Sequence, residues 1–428
     1  MIDLKLLAQE PAKLKKAIYK KPHYKGDLDA VIKMDEERRA LMFEIENLKA
    51  TQNRISKEIP KAAAADKENL LAQSKQTKER MKELEPKLEE LKTKLDAELI
   101  QIPNPTLDSV PEGKDESGNI VIKTVGKKPE FDFEPLNHME IGKKHDLIDM
   151  ETATAMSGAR FYYLKNEAVM LEFALIQFVM GKLMKHGFKP VITPVLVKEK
   201  AMYATGFFPA DRNEIYQVNP KTAENPENDD LYLVGTSEVP LCMLQADKII
   251  PQETLPLRYM GFSTCFRREA GSYGKDTQGI IRVHQFDKIE MFSFCDPAKS
   301  EEEHELIRQM EEEIMTDLGF HYQVLNICGG DLGNPAAKKY DIEAWIPTQG
   351  KFRELTSCSN CTDYQARRAN IRLTNGKENR TLHTLNGTAV AIGRTLIAIL
   401  ENYQQKDGTV AIPEVLQPYM GGKKFIGK

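Results

Sequence analysis

The chain has 428 residues, enough for two or three domains and a large buried core, and its 60 basic and 64 acidic residues leave a net charge of −4. That balance excludes a global basic field for nucleic acid, so any such binding must be local. Six cysteines scattered through core-like surroundings do not resemble a secreted disulfide framework, and no apolar run reaches the roughly 18 residues of a membrane-spanning helix.

The opening MIDLKLLAQEP carries neither a signal-peptide pattern nor the arginines of a transit peptide, so a reduced, cytoplasmic compartment with no membrane partner is expected. From about Leu28 to Ile100 the composition changes, and no glycine occurs between Gly26 and Gly113. Met34, Leu41, Ile45, Leu48, Gln52, Ile55 and Ile59 follow a three-four spacing, and so do Leu70, Ser74, Thr77, Met81, Leu84, Leu88, Leu91 and Leu95. Heptad spacing on both sides of a break at Ile59–Pro60 predicts two helices wound antiparallel into an arm of roughly 48 Å. Between Lys49 and Lys82 there are nine basic and four acidic residues, whereas the flanking segments 28–48 and 83–101 each carry three basic and six acidic. A basic tip on an acidic stalk suits a far-reaching contact with a phosphate backbone, and Lys49, Arg54, Lys57, Lys61, Lys75 and Lys78 are the candidate cations. Pro86 lies inside the second helix and predicts a local kink.

Residues 101–135 read as a linker with a short strand at Ile120 to Val125, which puts the domains at 1–110 and 111–428. Lys165 to His186 reads as an apolar helix ended by Gly187, followed by a strand from Phe188 to Thr193 that stops at Pro194. A helix this apolar needs cover on nearly every side, which a second subunit can supply. Thr236 and Glu238 follow the strand-like LYLV, and two residues apart on a strand they would face one small ligand together.

From Tyr259 to Phe294 two β-like runs flank a glycine-rich loop, Ala270 to Gly279. At period two, Arg267 and Glu269 share a face in the first run, and Arg282, His284, Phe286, Lys288 and Glu290 share one in the second. The opposite face carries Ile281, Val283, Ile289 and Met291. Guanidinium for phosphate, a ring for a base and a carboxylate for an amine make that front suitable for a nucleotide. Farther on, Glu354 and Ser357 offer oxygens suited to Mg²⁺, but three residues apart on a strand they need a bulge to face one ligand. Cys358 and Cys361 form a lone C-x-x-C with no second pair at zinc spacing. Arg394, amid Ala389, Val390, Ile392, Leu396 and Ile397, needs an anion, either a phosphate or a carboxylate from a neighbouring strand. No G-x-x-x-x-G-K-[ST] occurs, Gly329 to Gly333 is not a dinucleotide fingerprint, and His304–Glu305 lacks the second histidine of a zincin.

FRRE, the glycine-rich loop and RVHQFDKIE together closely resemble motif 2 of class II aminoacyl-tRNA synthetases, in the form used by the seryl-tRNA synthetase family. The apolar helix and strand ending at Pro194 resemble motif 1, Asn386 to Asn402 resembles motif 3, and the arm fits the same family. The resemblance implies an α+β fold: an antiparallel β-sheet flanked by helices, in a homodimer, with the N-terminal coiled-coil arm gripping tRNA-Ser. It implies ligation of L-serine to tRNA-Ser with ATP and Mg²⁺. By resemblance Arg267 takes the α-phosphate and the serine carboxylate, Glu269 and Phe286 the adenine, and Arg282 and Arg394 the distal phosphates. Arg268 and Val283 join the ATP site, Glu354 and Ser357 hold Mg²⁺, and Thr236, Glu238, Glu290 and Thr388 surround the serine. The rival readings are a catalytically silent nucleic-acid-binding relative and a ligase that loads an amino acid onto a carrier protein. The arm and the presence of Arg267, Glu269, Glu290, Glu354 and Arg394 weigh against both.

Overall fold

The structure, a computed structural model, describes residues 2–270 and 278–427; most of the glycine-rich loop, residues 271–277, lies outside the described residues. The chain divides into two compact units, Met1–Pro103 and Asn104–Lys428. The divide lies ahead of the expected 110/111. The Asn104 amide donates to the carbonyls of Pro335 and Cys361, and Val110 packs with Leu325, Ile327 and Leu332, so residues 104–110 belong with the second unit.

In the first unit, α1 (Leu4–Gln9) and α2 (Pro11–Tyr19) precede two long helices, α3 (Leu28–Glu58) and α4 (Ala64–Gln101). Asp27 caps α3 by accepting from the backbone of Asp29 and Ala30. Leu7, Leu14, Ile18, Leu28, Val31, Leu95, Leu99 and Ile102 form one buried cluster at the root. Farther along the arm, Ile45, Leu84 and Leu88 pack together, and Gln52 donates to Ser74 across the helix pair at 2.8 Å. At 31 and 38 residues the helices are about 46 and 57 Å long, bracketing the expected length. The α4 helix continues through Pro86 from Ala64 to Gln101, so the proline's missing donor does not end it. Lys49, Arg54, Lys57, Lys61, Lys75 and Lys78 are all exposed.

The second unit is built on a sheet that, among the described residues, has eight strands. In chain order they are β1 (Ile120–Val125), β2 (Lys189–Ile192), β3 (Leu257–Phe266), β4 (Gln285–Cys295), β5 (Tyr322–Asn326), β6 (Lys338–Ile346), β7 (Lys351–Asn360) and β8 (His383–Ala391). Their order across the sheet is β1-β5-β6-β7-β8-β4-β3-β2, antiparallel throughout except that β2 runs parallel to β3. The helices that matter for the site are α5 (Glu167–Lys185), α6 (Glu238–Met243), α7 (Ser300–Asp317), α8 (Tyr364–Arg368) and α9 (Ile392–Asn402). Alternation along β4 sends Ile289, Met291 and Ser293 to the face covered by α7, where Ser293 donates to Glu303 at 2.7 Å. The same alternation sends Lys288 and Glu290 to the other face, where the candidate site lies.

The α5 helix buries Leu171, Ala174, Leu175, Val179 and Leu183 and leaves Met170, Phe173 and Met184 more than half exposed. Ile192, at the end of β2, is 86% exposed. Among the described residues no helix is long and apolar enough to cross a membrane.

Candidate active site

The pairing of β3 with β4 runs from Leu257↔Phe294 to Phe266↔Gln285 and continues one step past the strands, where the backbone N–H of Arg267 donates to the His284 carbonyl at 2.9 Å. This register places the Arg267 guanidinium over the Phe286 ring, 5.2 Å from its centroid, and lets its Nε donate to the Gly235 carbonyl at 3.3 Å. Glu269 adopts a left-handed backbone (φ 51°) and forms an ion pair with Arg282. The described end of the loop is pinned from below: the Ile280 N–H donates to His138 Nε2 at 3.3 Å, and His138 in turn contacts Glu401 of α9. A Cβ on Gly279 would lie 2.0 Å from that imidazole nitrogen, so the close approach requires glycine. Val283 is 5% exposed within the core, so its side chain is not available to a nucleotide and only its backbone is. Arg268 is exposed.

Thr236 and Glu238 are not on a strand. The short strand Leu231–Leu233 ends first, and the chain turns so that Glu238 is the first residue of α6. The turn is held by Ser237, which donates to the Gly261 carbonyl at 3.1 Å; a Cβ on Gly261 would lie 2.8 Å from the Ser237 hydroxyl. The Thr236 hydroxyl accepts from the Glu238 N–H at 3.3 Å, so the two residues converge through a helix start rather than through strand alternation. Behind Glu238, Gln365 of α8 donates to its carboxylate at 2.6 Å, and Gln365 accepts from Thr384 at 2.8 Å. Burial, reinforced by the nearby Glu290 carboxylate, pushes Glu238 up to about 7, against the opposing hydrogen bonds of Gln365 and Asn386 and the charge of Lys288.

Lys288 joins these groups. Its Nζ donates to Thr236 at 2.8 Å and to Thr388 at 3.5 Å, and it is ion-paired with Glu290. Thr388 donates to Glu290 at 3.2 Å. Sequence reasoning put Lys288 on the correct face but gave it no role. It gives no sign of Gln365 or Asn386, because contacts from α8 and β8 to α6 leave no spacing signal.

A bulge separates Glu354 from Ser357, as their spacing demanded: Thr356 pairs with Ile342 and Glu354 with Glu343, leaving Leu355 as the extra residue. Leu355 and Thr356 are buried while Glu354 and Ser357 are both partly open. Arg394 meets the strand carboxylate, donating to the Glu354 backbone carbonyl at 2.8 Å and to its carboxylate at 3.3 Å. Enclosure pushes the Glu354 carboxyl upward, but the charges of Lys339, Arg394 and Arg267 overcome it and hold the group at about 2. The charges of Arg394 and Arg267 therefore both act on Glu354. Cys358 and Cys361 are buried, and among the described residues no group of three or more His, Cys, Asp or Glu side chains is placed to hold a metal ion.

Residues 216–403 match the tRNA synthetase class II core domain (G, H, P, S and T), and residues 1–106 match the seryl-tRNA synthetase N-terminal domain. The chain belongs to the seryl-tRNA synthetase family. It is 46% identical over 425 residues to the serine–tRNA ligase of Dictyoglomus turgidum, covering 98% of both chains. Seryl-tRNA synthetase from Pyrococcus horikoshii, solved in complex with ATP, superposes with a TM-score of 0.93 at 43% identity, covering 100% of this chain and 99% of that one. The cytoplasmic serine–tRNA ligase of Naegleria fowleri, solved with AMP, superposes with a TM-score of 0.88 at 36% identity, covering 100% and 98%.

Proposed function

We infer that this chain is a serine–tRNA ligase, activating L-serine with ATP and passing the seryl group to the 3′ end of tRNA-Ser. The observation that carries the reading is the set of polar contacts joining Thr236, Lys288, Glu290 and Thr388, with Arg267 on the adjoining Gly235 carbonyl and the Glu354–Arg394 pair, in a chain of this family. In the first step a serine carboxylate oxygen attacks the α-phosphate of ATP and pyrophosphate leaves, giving seryl-adenylate. In the second, the terminal ribose hydroxyl attacks the seryl carbonyl and AMP leaves. Neither step needs a protein nucleophile, so alignment and charge stabilisation supply most of the acceleration.

Arg267, which donates to the Gly235 carbonyl and lies over the Phe286 ring, takes the α-phosphate and the serine carboxylate. Phe286 offers its half-open face to adenine, and Glu269 with the backbone near Val283 edges the same site. Arg282 and Arg394 take the distal phosphates, exchanging their resting carboxylate partners for phosphate oxygens. Arg268, exposed and next to Arg267 in the chain, adds a further cation. Thr236, Glu238, Glu290 and Thr388 hold the serine amine and hydroxyl.

The residues present fit one Mg²⁺: the bulge leaves Glu354 and Ser357 open on one stretch of strand, and Glu354 is held ionised. Magnesium prefers a few hard protein oxygens together with phosphate oxygens and water. When bound, it neutralises phosphate charge.

The unit Met1–Pro103 is the tRNA-binding part, with the exposed cations Lys49, Arg54, Lys57, Lys61, Lys75 and Lys78 meeting the phosphate backbone. Met170, Phe173, Met184 and Ile192 support a homodimer interface at α5 and β2. Buried thiols with no disulfide among the described residues support a reduced cytoplasmic setting.

The test is ATP–pyrophosphate exchange measured across amino acids. Exchange that requires serine, followed by charging of tRNA-Ser, is expected; exchange indifferent to serine rejects the reading, as does a complete lack of activity.

A further inference from the structure

The Lys288 ammonium is 5% exposed and touches most of the groups assigned above to the serine side chain and amine, yet the reaction as written gives it nothing to do. Its contacts dictate which way the neighbouring hydroxyls point. A hydroxyl has one hydrogen to give and two lone pairs to accept with. Thr236 Oγ1 accepts from Lys288 Nζ at 2.8 Å and from the Glu238 N–H at 3.3 Å. With both lone pairs engaged, its own hydrogen is what it has left to offer a ligand. Thr388 is set the other way. Its hydrogen goes to Glu290 at 3.2 Å and one lone pair takes Lys288 at 3.5 Å, so a lone pair remains to accept. Both threonine oxygens lie around one Nζ, at 2.8 and 3.5 Å, so the pocket presents one donor and one acceptor close together.

We propose that Lys288 is a positioning residue for substrate selection: it fixes Thr236 as a donor opposite Thr388, which Glu290 holds as an acceptor, a pair that a ligand hydroxyl can satisfy from both sides and a methyl group cannot. A ligand hydroxyl accepts from Thr236 and donates to Thr388. A methyl group in the same place does neither and leaves two polar groups without partners, which is the strong form of discrimination. Without Lys288, Thr236 can turn its hydrogen toward Glu290 or Glu238, and the pocket loses its distinction between a hydroxymethyl and a methyl side chain.

The inference rests on the serine reading above, and the assay separates the two. Pyrophosphate exchange is measured with serine and with alanine, and the ratio of their kcat/KM values is compared among variants. Amine and carboxylate contacts are common to both substrates and cancel in that ratio, so it isolates the hydroxyl. Lys288→Met is expected to lower the serine-to-alanine ratio roughly 10- to 100-fold, the effect of stranding a hydrogen bond to a charged or polar partner, while KM for ATP stays within about twofold. In a Thr236→Val background, Lys288→Met should change the ratio by less than about threefold, because the hydroxyl it orients is already gone. Lys288→Arg, which keeps the charge beside Glu290, is the second variant should the methionine variant unfold. Its fixed planar fork cannot reproduce the single bond to Thr236, so the ratio falls there too. An unchanged ratio in either variant with a wild-type unfolding transition overturns the proposal, as do fully additive losses in the double variant. Wild-type exchange that does not depend on serine would reject the activity itself instead.

Discussion

Glu238 gives the sharpest pH prediction. Its carboxyl is 8% exposed, and burial together with the Glu290 charge lifts it from an ordinary 4.5 to about 7. In the empty pocket Lys288 already neutralises Glu290, so a proton on Glu238 leaves the cluster neutral. A serine ammonium brings a second positive charge into the same enclosed space and needs a second carboxylate ionised. The binding-competent form is then the ionised one. With a midpoint near 7 its fraction rises from about a tenth to about nine tenths between pH 6 and 8, so the serine KM should fall about tenfold over that interval. The stability consequence has the opposite direction. Because the folded carboxyl holds its proton more tightly than the unfolded one, its contribution is fully present below about 4.5 and is lost as pH rises through about 7. The assay is serine-dependent exchange at saturating ATP from about pH 5.5 to 8.5, for the wild type and Glu238→Gln. The glutamine variant should have a raised serine KM, by roughly 10- to 100-fold for loss of a charge-assisted contact, and a flat profile. A serine KM that is flat in the wild type, or a slope that survives in Glu238→Gln, would refute the charge argument.

Other perturbations test other parts of the chain. Arg267→Ala should lower serine-dependent exchange about a hundredfold or more with unchanged sedimentation, as expected of a guanidinium that acts on charge at the α-phosphate; full exchange would remove it from that proposed role. Deleting residues 36–95 should preserve adenylate formation and impair aminoacylation, and equal charging with and without the arm would defeat the assignment of the six arm cations. Charging by the intact chain should weaken steeply with added salt, whereas pyrophosphate exchange should not. Gly387→Ala should lower the thermal unfolding midpoint, by about 1–3 kcal/mol of stability, because a Cβ there meets Ile307 Cγ2 at 2.4 Å and Glu311 Oε1 at 2.8 Å.

What could be read from the sequence followed from periodicity. The arm was legible because a three-four pattern persists without glycine and breaks only at Ile59–Pro60, and the helices end and restart around that break. The second run is legible from period two along Phe286, Lys288 and Glu290, and the ladder keeps that register, but Arg282 and His284 lie ahead of the strand, which begins at Gln285. The bulge between Glu354 and Ser357 could be demanded in advance, because oxygens three apart cannot otherwise share a face. Errors arose where the chain leaves a regular period. Thr236 and Glu238 were placed on a strand, but the turn that brings them together depends on Ser237 meeting Gly261, 24 residues away. The expected boundary at 110/111 falls within the linker-like stretch 101–135, and the two compact units divide seven residues earlier, where Asn104 donates to the Cys361 carbonyl. Gln365 and Asn386 reach Glu238 from remote segments, and no local pattern marks them.

On the proposed reading, ion pairs among the site residues hold the site together before ATP and serine arrive. Arg282 rests on Glu269, Lys288 on Glu290 and Arg394 on Glu354. Of the three cations only Lys288 is buried, so its pairing with Glu290 is the one whose loss would be strongly destabilising, whereas Arg282 and Arg394 keep 35% and 31% exposure. On the proposed assignments each cation rests on a carboxylate of the same site, which makes substrate binding an exchange of partners. The exchange has a direction. When phosphate takes Arg394, Glu354 loses one of the charges that hold it near 2, but Lys339 and Arg267 remain to keep it ionised and available to a hard cation. Glu354→Gln should therefore loosen Arg394 in the empty protein and lower its thermal midpoint, yet leave serine binding nearly unchanged, because the Lys288–Glu290 pair does not share that carboxylate. Calorimetric titration of serine alone into the variant measures this. A loss of serine affinity comparable to the loss in exchange would mean that the two halves of the cleft are one charge network and not two that meet at Arg267.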